Sequence, residues 1–158
     1  MKPSAHASQP FVAPIEHGSP EYRASLELRH RLLREPLGLE LTEEDTAGEE
    51  SQHLFGLFHQ SEQDPQARLV GAAIGKPGKA DGEVRIRQVV VEESLRGYGL
   101  GALLMQEIEC GLTKLGYCRF VLYARDEAAG FYDRCGYRAT GGTEMLIGLE
   151  HLRMEKKV

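Results

Sequence analysis

The sequence predicts a mixed α/β domain, and three observations carry that prediction. Short runs of apolar and β-branched residues, such as RFVLYA at 119–124, are typical of strands. Leucine and isoleucine recur at helical spacing through 100–115. A glycine-rich turn at 96–101 separates that helix from the strand before it. The predicted order is β-α-β-β-β-α-β-α-β in a single domain at 11–158, after a loose N-terminal arm at 1–10.

The first predicted helix has a clear start. It follows a short strand at 11–15, with Ser19 as N-cap and Pro20 in the first helical turn. The helix should end near Pro36, and the acidic stretch at 41–50 should be a loop or short helix.

The remaining elements follow from alternating apolar runs and turn signals. A polar turn at 61–66 joins the strands at 53–60 and 68–76. The later elements are a strand from Glu83 to Val91, a helix at 100–115 with one apolar face ending in Leu115 and capped by Gly116, a strand at 119–124, a short helix at 127–136, and one or two closing strands.

Composition excludes several classes of function. At 158 residues, 41% hydrophobic and a net charge of −5, the chain should bury one core and offer no general attraction to nucleic acid. We predict no membrane span and no signal peptide. Cys110, Cys118 and Cys135 form no CxxC pair, which favours reduced thiols in a cytoplasmic protein. The scattered histidines predict no metal site.

The turn Arg96-Gly97-Tyr98-Gly99-Leu100-Gly101 predicts a site for a phosphate-bearing ligand. Unpaired amides meet at a helix N-terminus, and glycines let the anion approach the backbone. Gly97, Gly99 and Ala102 also match the dinucleotide-binding pattern G-x-G-x-x-A, but EESLR intervenes after the strand and too little chain follows. No Gly-Lys-Ser/Thr of a P-loop occurs. A purely structural turn is the remaining alternative.

These residues resemble a family. The turn is similar to [RQ]-x-x-G-x-[GA], the pyrophosphate-binding motif of the GNAT superfamily of acyl-CoA-dependent N-acyltransferases. AxxFYxxxGY, from Ala128 to Tyr137, resembles the helix that follows in that family. The tail GLEHLRM at 148–154 is similar to the ending of an ElaA-like branch, with Glu150 where that branch has proline. The resemblance implies a GNAT-type, mostly antiparallel central sheet flanked by helices.

The resemblance implies acetyl-CoA as co-substrate. Backbone amides of the turn would bind the pyrophosphate, and the end of the fourth strand would pair its backbone with the pantetheine arm, although the same valines would serve a plain core strand. The implied cofactor-binding residues are Val89, Val90, Val91, Arg96, Gly97, Tyr98, Gly99, Leu100, Gly101, Ala102 and Tyr132.

Tyr132 is the implied general acid. Its phenol is protonated at neutral pH and can donate to a departing thiolate. The alternative is an amphipathic tyrosine that covers the core. Arg125 departs from the family pattern, which often has asparagine there; it would bind CoA phosphates or be solvated. Cys135 has no activating neighbour in sequence and is not predicted to carry an acyl group.

The general base is less clearly marked. Glu83 lies roughly where some family members place a catalytic glutamate, but it also follows a turn, where surface glutamates are common. Water without a dedicated base is an equal alternative, and His151 is a candidate only through the tail resemblance.

The implied activity is direct acetyl transfer to a primary amine of a small molecule or peptide. The alternative is an acyl-CoA-binding sensor or interaction module on the same fold. Charged residues of the first helix and of the loop after it would select the acceptor or simply be solvated. They are Arg23, Arg29, Arg31 and Arg34, followed by Glu43, Glu44, Asp45, Glu49 and Glu50. The resemblance also admits a homodimer, because dimers are common in the family.

Overall fold

The computed structural model describes residues 9–60 and 65–158. Most of the arm predicted at 1–10, and most of the turn predicted at 61–66, lie outside the described residues. No helix in the described part of the chain is long and apolar enough to cross a membrane.

Seven strands form one sheet in the order β1-β2-β3-β4-β5-β7-β6. Their bounds are β1 Phe11–Pro14, β2 His53–His59, β3 Arg68–Pro77, β4 Glu83–Val91, β5 Arg119–Ala124, β6 Arg138–Leu146 and β7 Leu149–Lys157. β1 pairs antiparallel with β2, and β7 pairs antiparallel with both β5 and β6. β4 and β5 are parallel. The predicted mixed, mostly antiparallel sheet with flanking helices is confirmed.

Four α-helices accompany the strands in the described residues: α1 Pro20–Arg29, α2 Glu43–Thr46, α3 Leu100–Lys114 and α4 Ala129–Arg134. Single 3₁₀ turns precede α3 and α4, at Glu93–Leu95 and Asp126–Ala128. Two strands, β6 and β7, close the chain.

Helix α1 begins as its sequence predicts. Ser19 Oγ accepts a hydrogen bond from the Tyr22 amide at 3.1 Å, and Pro20 occupies the first helical position. The helical path then passes Pro36 by changing geometry, since a π turn at His30–Arg34 and a 3₁₀ turn at Glu35–Leu37 follow α1.

Helix α3 buries the predicted apolar stripe, with Leu104, Ile108 and Leu112 fully enclosed. Gly116, at φ 103°, ends the helix, and the Tyr117 amide bonds back to the Leu112 carbonyl at 3.1 Å. The prediction that Leu115 belongs to this stripe is wrong. It lies beyond the last helical residue and its side chain is 60% exposed, because the chain turns away at the cap.

The chain divides into two compact units, each discontinuous in sequence. The first runs up to Ile74 and resumes at 88–104, and in it α1 packs Leu28 against Ala72 and Val90. The second contains 75–87 and 105–158; its β3 residue Gly75 would bring a Cβ to 2.9 Å from Leu112, so α3 lies close to the strand there. The single domain at 11–158 stays a prediction.

Candidate active site

The glycines of the turn are required by its backbone conformation and not by a lack of space for a side chain. Gly97 and Gly99 take left-handed φ values of 87° and 78°, which L side chains rarely adopt. A Cβ added at either residue would meet no atom within 4 Å. The turn therefore presents open space beside two glycines, and Tyr98 between them is 77% exposed.

The backbone amides of this turn are unused. Within the described chain, the N–H groups of residues 97–102 have no hydrogen-bond acceptor, and the first helical bond is that from Leu103 to the Gly99 carbonyl at 3.0 Å. Arg96 beside them is exposed, and its Nε donates to the Val91 carbonyl at 3.4 Å. Free amides and the positive end of the α3 dipole together favour an anion such as pyrophosphate.

The end of β4 leads into this turn. Val90 is buried against Leu28 and Ala72, while Val89 and Val91 are half-buried. Gln88, just before them, has φ 55°, an uncommon value for a residue with a side chain. The side chain of Val90 thus packs in the core. This packing is compatible with the predicted binding of a ligand by the backbone of the same segment.

A buried polar network holds Gln88. Arg29 and Glu49, 1% and 0% exposed, form a bidentate ion pair at 2.7 and 2.8 Å. Arg29 Nε also donates to Gln88 Oε1 at 2.9 Å, and the Tyr22 hydroxyl donates to Glu49 at 2.6 Å. Burial and the Glu49 carboxylate raise the pKa of Tyr22 to about 12. The unusual backbone of Gln88 is therefore fixed from α1.

Arginines and acids of this region pair with each other. Arg31 makes a bidentate pair with Glu92, and Arg34 pairs with Asp45 at 3.0 Å. The interpretation of Arg29 and Arg34 as a solvated face is wrong, because both side chains are buried against carboxylates.

Tyr132 lies in the short helix α4. Its half-buried ring packs edge-on against Phe131 and Tyr137, with centroids 5.0 and 6.0 Å away. Its hydroxyl makes no hydrogen bond to any described residue. Burial, and to a lesser degree Cys135, raises its pKa above the ordinary phenol value. The side chain is thus a protonated, unengaged donor, and its role as general acid stays a prediction.

Tyr137 has the opposite environment. It is 1% exposed, and its hydroxyl donates to Glu109 at 2.9 Å. Glu109 also accepts from Lys156 at 2.7 Å, and Lys156 donates to the Cys135 carbonyl at 2.9 Å. Burial and the Glu109 charge raise the pKa of Tyr137. This network ties the end of α4 to α3 and β7, and no local signal in the sequence announces it.

Glu83 opens β4 at a tight hairpin. Its carbonyl accepts from the Gly78 amide at 2.8 Å, and its carboxylate lies 3.9 Å from Arg153. The side chain is partly exposed. The structure thus gives Glu83 a place in a surface ion pair, and its role as a base remains a prediction.

The remaining candidate residues are His151, Arg125 and Cys135. His151 is buried, with Nδ1 2.9 Å from the Leu149 carbonyl. Arg125 is half-buried just before the 3₁₀ turn at Asp126–Ala128. Burial raises the pKa of the Cys135 thiol, which weakens it as a nucleophile. In the described ranges no group of three or more His, Cys, Asp or Glu side chains could hold a metal ion.

The pair formed by Arg85 of β4 and Tyr123 of β5 was not predicted from the sequence. The Arg85 guanidinium lies 4.5 Å from the centre of the Tyr123 ring, within cation–π range. The alternation in EVRIRQ, with Val84 and Ile86 buried, could have marked Arg85 as facing the opposite side of the sheet.

Comparison with known proteins agrees with the elements described above. The family model described as an acetyltransferase (GNAT) domain matches residues 40–158. A Bacillus subtilis (strain 168) protein, whose name assigns it to the acetyltransferases, is 30% identical over 122 residues, 77% of each chain. The match to the family model therefore spans β2 to β7.

Solved structures show the same fold. A Lactobacillus plantarum protein whose name assigns it to the N-acetyltransferases superposes with a TM-score of 0.76 at 25% identity, covering 96% of this chain and 99% of that one. Escherichia coli ElaA gives 0.74 at 21% identity, with 94% and 100% covered. An Elizabethkingia anophelis GNAT acetyltransferase with acetyl-CoA bound gives 0.67 at 15% identity, with 94% and 98% covered.

Proposed function

Because this chain belongs to the GNAT family of acetyltransferases, we propose that it transfers the acetyl group of acetyl-CoA directly to a primary amine of a small molecule or peptide. Membership of the family makes it an acyltransferase. The observation that carries the rest of the proposal is the run of unused amides at 97–102.

These amides fit the pyrophosphate of acetyl-CoA. Several donors point from one helix start, the dipole of α3 favours negative charge, and no side chain fills the space beside Gly97 and Gly99. Arg96 adds a cation. Val89 to Val91 would pair their backbone with the pantetheine arm as an added strand does. Acetyl-CoA supplies the thioester-activated acetyl group; the protein supplies binding, orientation and proton transfer.

Tyr132 is the proposed proton donor to the departing thiolate. Donation requires a hydroxyl that is protonated and not already bonded elsewhere, and the Tyr132 hydroxyl meets both conditions. Tyr137, five residues later, does not meet the second condition, because its hydroxyl already donates a hydrogen bond to Glu109.

The amine must lose a proton before it attacks, and two routes remain. Glu83 would accept that proton if its pairing with Arg153, at 3.9 Å, yields to the substrate. The other route is solvent water without a dedicated base. A Glu83→Gln variant that keeps its kcat would favour water.

The proposal is tested first at the turn. Gly99→Ala should weaken acetyl-CoA binding about tenfold or more, since a methyl group would stand beside amides that contact the phosphates. Gly148→Ala is the matched control, because Gly148 has the same φ of 78° and the same open surroundings. Backbone strain is therefore equal, and a difference in affinity by calorimetry reports the ligand. Equal affinity in both variants would contradict the proposed pyrophosphate site.

Turnover is tested by release of free thiol from acetyl-CoA with pooled amines: amino acids, polyamines, aminoglycosides and peptides. Amine-dependent release, followed by mass spectrometry of the acetylated product, would identify the acceptor. Release without amine, or acetyl-CoA binding with no release from any pool, would contradict direct transfer to a primary amine.

A further inference from the structure

Several arginines in the described residues have their charge matched by a carboxylate of the chain. The pairs are Arg29–Glu49, Arg31–Glu92, Arg34–Asp45, Arg119–Glu155 and Arg153 with Glu83 and Glu155. Arg85 departs from this pattern. Its guanidinium forms neither an ion pair nor a hydrogen bond with any residue that the structure describes.

Arg85 is nevertheless half-buried. Its Nε is fully buried without an acceptor, and the guanidinium stacks on the Tyr123 ring at 4.5 Å. Burial lowers the pKa of Arg85, while the charge of Glu144 acts in the opposite direction without forming an ion pair. A cation held in this way costs free energy unless an anion compensates it.

The residues around Arg85 form a largely polar face of the sheet, in which Val121 and His151 are buried. Directly paired residues share a face, and the register pairs Arg85 with Val121, Tyr123 with Arg153 and Glu144 with His151. On the other face the same strands bury Val84, Phe120, Leu122 and Met154. Arg153 is already paired with Glu83 and Glu155, and Arg138 on this face is exposed, whereas Arg85 is a half-buried cation without an ion pair to a described residue.

We propose that Arg85, seated on Tyr123, binds a carboxylate of the acceptor, which makes the acceptor an amino acid or a close analogue bearing both amine and carboxylate. This inference rests on the function proposed above. Arg85 lies on β4, the strand whose residues Val89 to Val91 are proposed to hold acetyl-CoA, four positions further along. A guanidinium matches a carboxylate with two parallel hydrogen bonds, and the ring below fixes its plane.

The charge balance favours a carboxylate over a phosphate. Arg85 supplies one positive charge, and Glu144 adds a negative charge nearby. Glu144 repels any anion that binds Arg85, and it repels a doubly charged phosphate more strongly than a singly charged carboxylate.

The experiment compares acids with their amides. Thiol release from acetyl-CoA is measured with the common L-amino acids, with the same amino acids as carboxamides, and with 1-aminoalkylphosphonates. Amides keep the amine, the size and the side chain but lack the anion. We expect kcat/KM for the preferred acid to exceed that of its amide at least about tenfold, and the phosphonates to be poorer than the acids. Equal rates for acids and amides, or better rates for phosphonates, would overturn the proposal.

Variants assign the effect to Arg85. Arg85→Gln should raise KM for the acid about tenfold or more, leave kcat less affected, and remove the preference over the amide, while Arg85→Lys should keep part of it. Arg119→Gln is the matched control, because Arg119 lies on the neighbouring strand and already has Glu155 as partner. Loss of the preference in Arg119→Gln to the same extent would overturn the assignment.

A binding measurement separates this inference from the proposed function. If no amine is acetylated, the proposed function fails; the carboxylate site is then judged by NMR titration of CoA-loaded protein with amino acids and their amides. Acids that bind more tightly than amides, and lose the difference in Arg85→Gln, would support the site alone. Absence of that difference in wild type would overturn it.

Discussion

Arg29 and Arg85 carry the same guanidinium group in two regions of the molecule that offer it different hydrogen-bond partners. The Arg29 guanidinium is fully enclosed and uses its donors on Glu49 and Gln88. Arg85 faces an aromatic ring, and its buried Nε has no acceptor in the described chain. The first arrangement is complete without a ligand, whereas the second is left incomplete by the fold. Incomplete hydrogen bonding of a half-buried donor is therefore the better guide to function.

Tyr137 and Tyr132 repeat this contrast within one motif. The buried Tyr137 hydroxyl is engaged by Glu109, and the Tyr132 hydroxyl has no described partner. Changes at the sites whose hydrogen bonds are complete should therefore lower stability, and changes at the incomplete sites should lower activity.

The largest effect is expected at the Arg29 network. Glu49→Gln removes the buried negative charge and leaves Arg29 as an uncompensated cation, so the free energy of unfolding should fall by about 3–5 kcal/mol. Urea denaturation followed by circular dichroism measures the change. Glu50→Gln, an exposed neighbour, is the control and should alter stability by less than about 0.5 kcal/mol.

A double variant sharpens the interpretation. Arg29→Met with Glu49→Leu removes both charges and should recover much of the lost stability, since a buried pair can be replaced by packed apolar groups. If Glu49→Gln were as mild as Glu50→Gln, the Arg29 network would not stabilise the fold.

The next effect is kinetic. Tyr132→Phe keeps the ring and removes the unengaged hydroxyl, so kcat should fall about 100-fold, or about 2.7 kcal/mol in the activation barrier. Stability should change little, because no described hydrogen bond is lost. Steady-state thiol release gives kcat, and thermal unfolding provides the check on folding. An unchanged kcat would remove Tyr132 from the chemistry.

Tyr137→Phe should show the reverse. It removes the donor to buried Glu109, which should cost about 1–2 kcal/mol of unfolding free energy, with Lys156 still available to the carboxylate. The kcat of the remaining folded protein should stay within a few-fold of wild type. The two phenylalanine variants are each other's control, and a large kcat loss with unchanged stability in Tyr137→Phe would reverse the assignment of the two tyrosines.

Local signals in the sequence were enough to predict the helices and strands. Ser19 and Pro20 mark the start of α1, Gly116 marks the end of α3, and alternating apolar residues mark the strands. The left-handed glycines of the turn were also predictable, because an anion site at a helix start needs that backbone freedom.

Partners distant in sequence were not predictable in the same way. Tyr137 reaches Glu109 across 28 positions, and Arg29 reaches Glu49 across 20. Arg85 meets Tyr123 only because β4 and β5 pair in parallel with one particular register. Such contacts follow from tertiary packing. The sequence motif therefore indicated Tyr132, but it could not show which of its two tyrosines has a hydroxyl without a partner among the described residues.

The smallest effect is expected where a completed pair lies at the surface. Arg31 and Glu92 are bonded bidentately at 2.8 Å, but the Arg31 side chain is 47% exposed. Solvent screens such a pair, so Arg31→Gln should lower the free energy of unfolding by less than about 1 kcal/mol at pH 7. Completion of hydrogen bonding therefore contributes much less stability at the surface than in the Arg29 network.

The stability difference between wild type and Arg31→Gln should depend on pH in a direction that the Glu92 carboxylate determines. The hydrogen bond from Arg31 lowers the pKa of Glu92 below its ordinary 4.5 in the folded chain. The stabilisation is therefore present above pH 4.5 and lost as pH falls through the lowered pKa. Urea denaturation of wild type and Arg31→Gln from pH 7 to pH 3 should show the gap narrowing in acid, with Glu92→Gln following the same course. A gap that widens in acid would show that Arg31 acts through some group other than the Glu92 carboxylate.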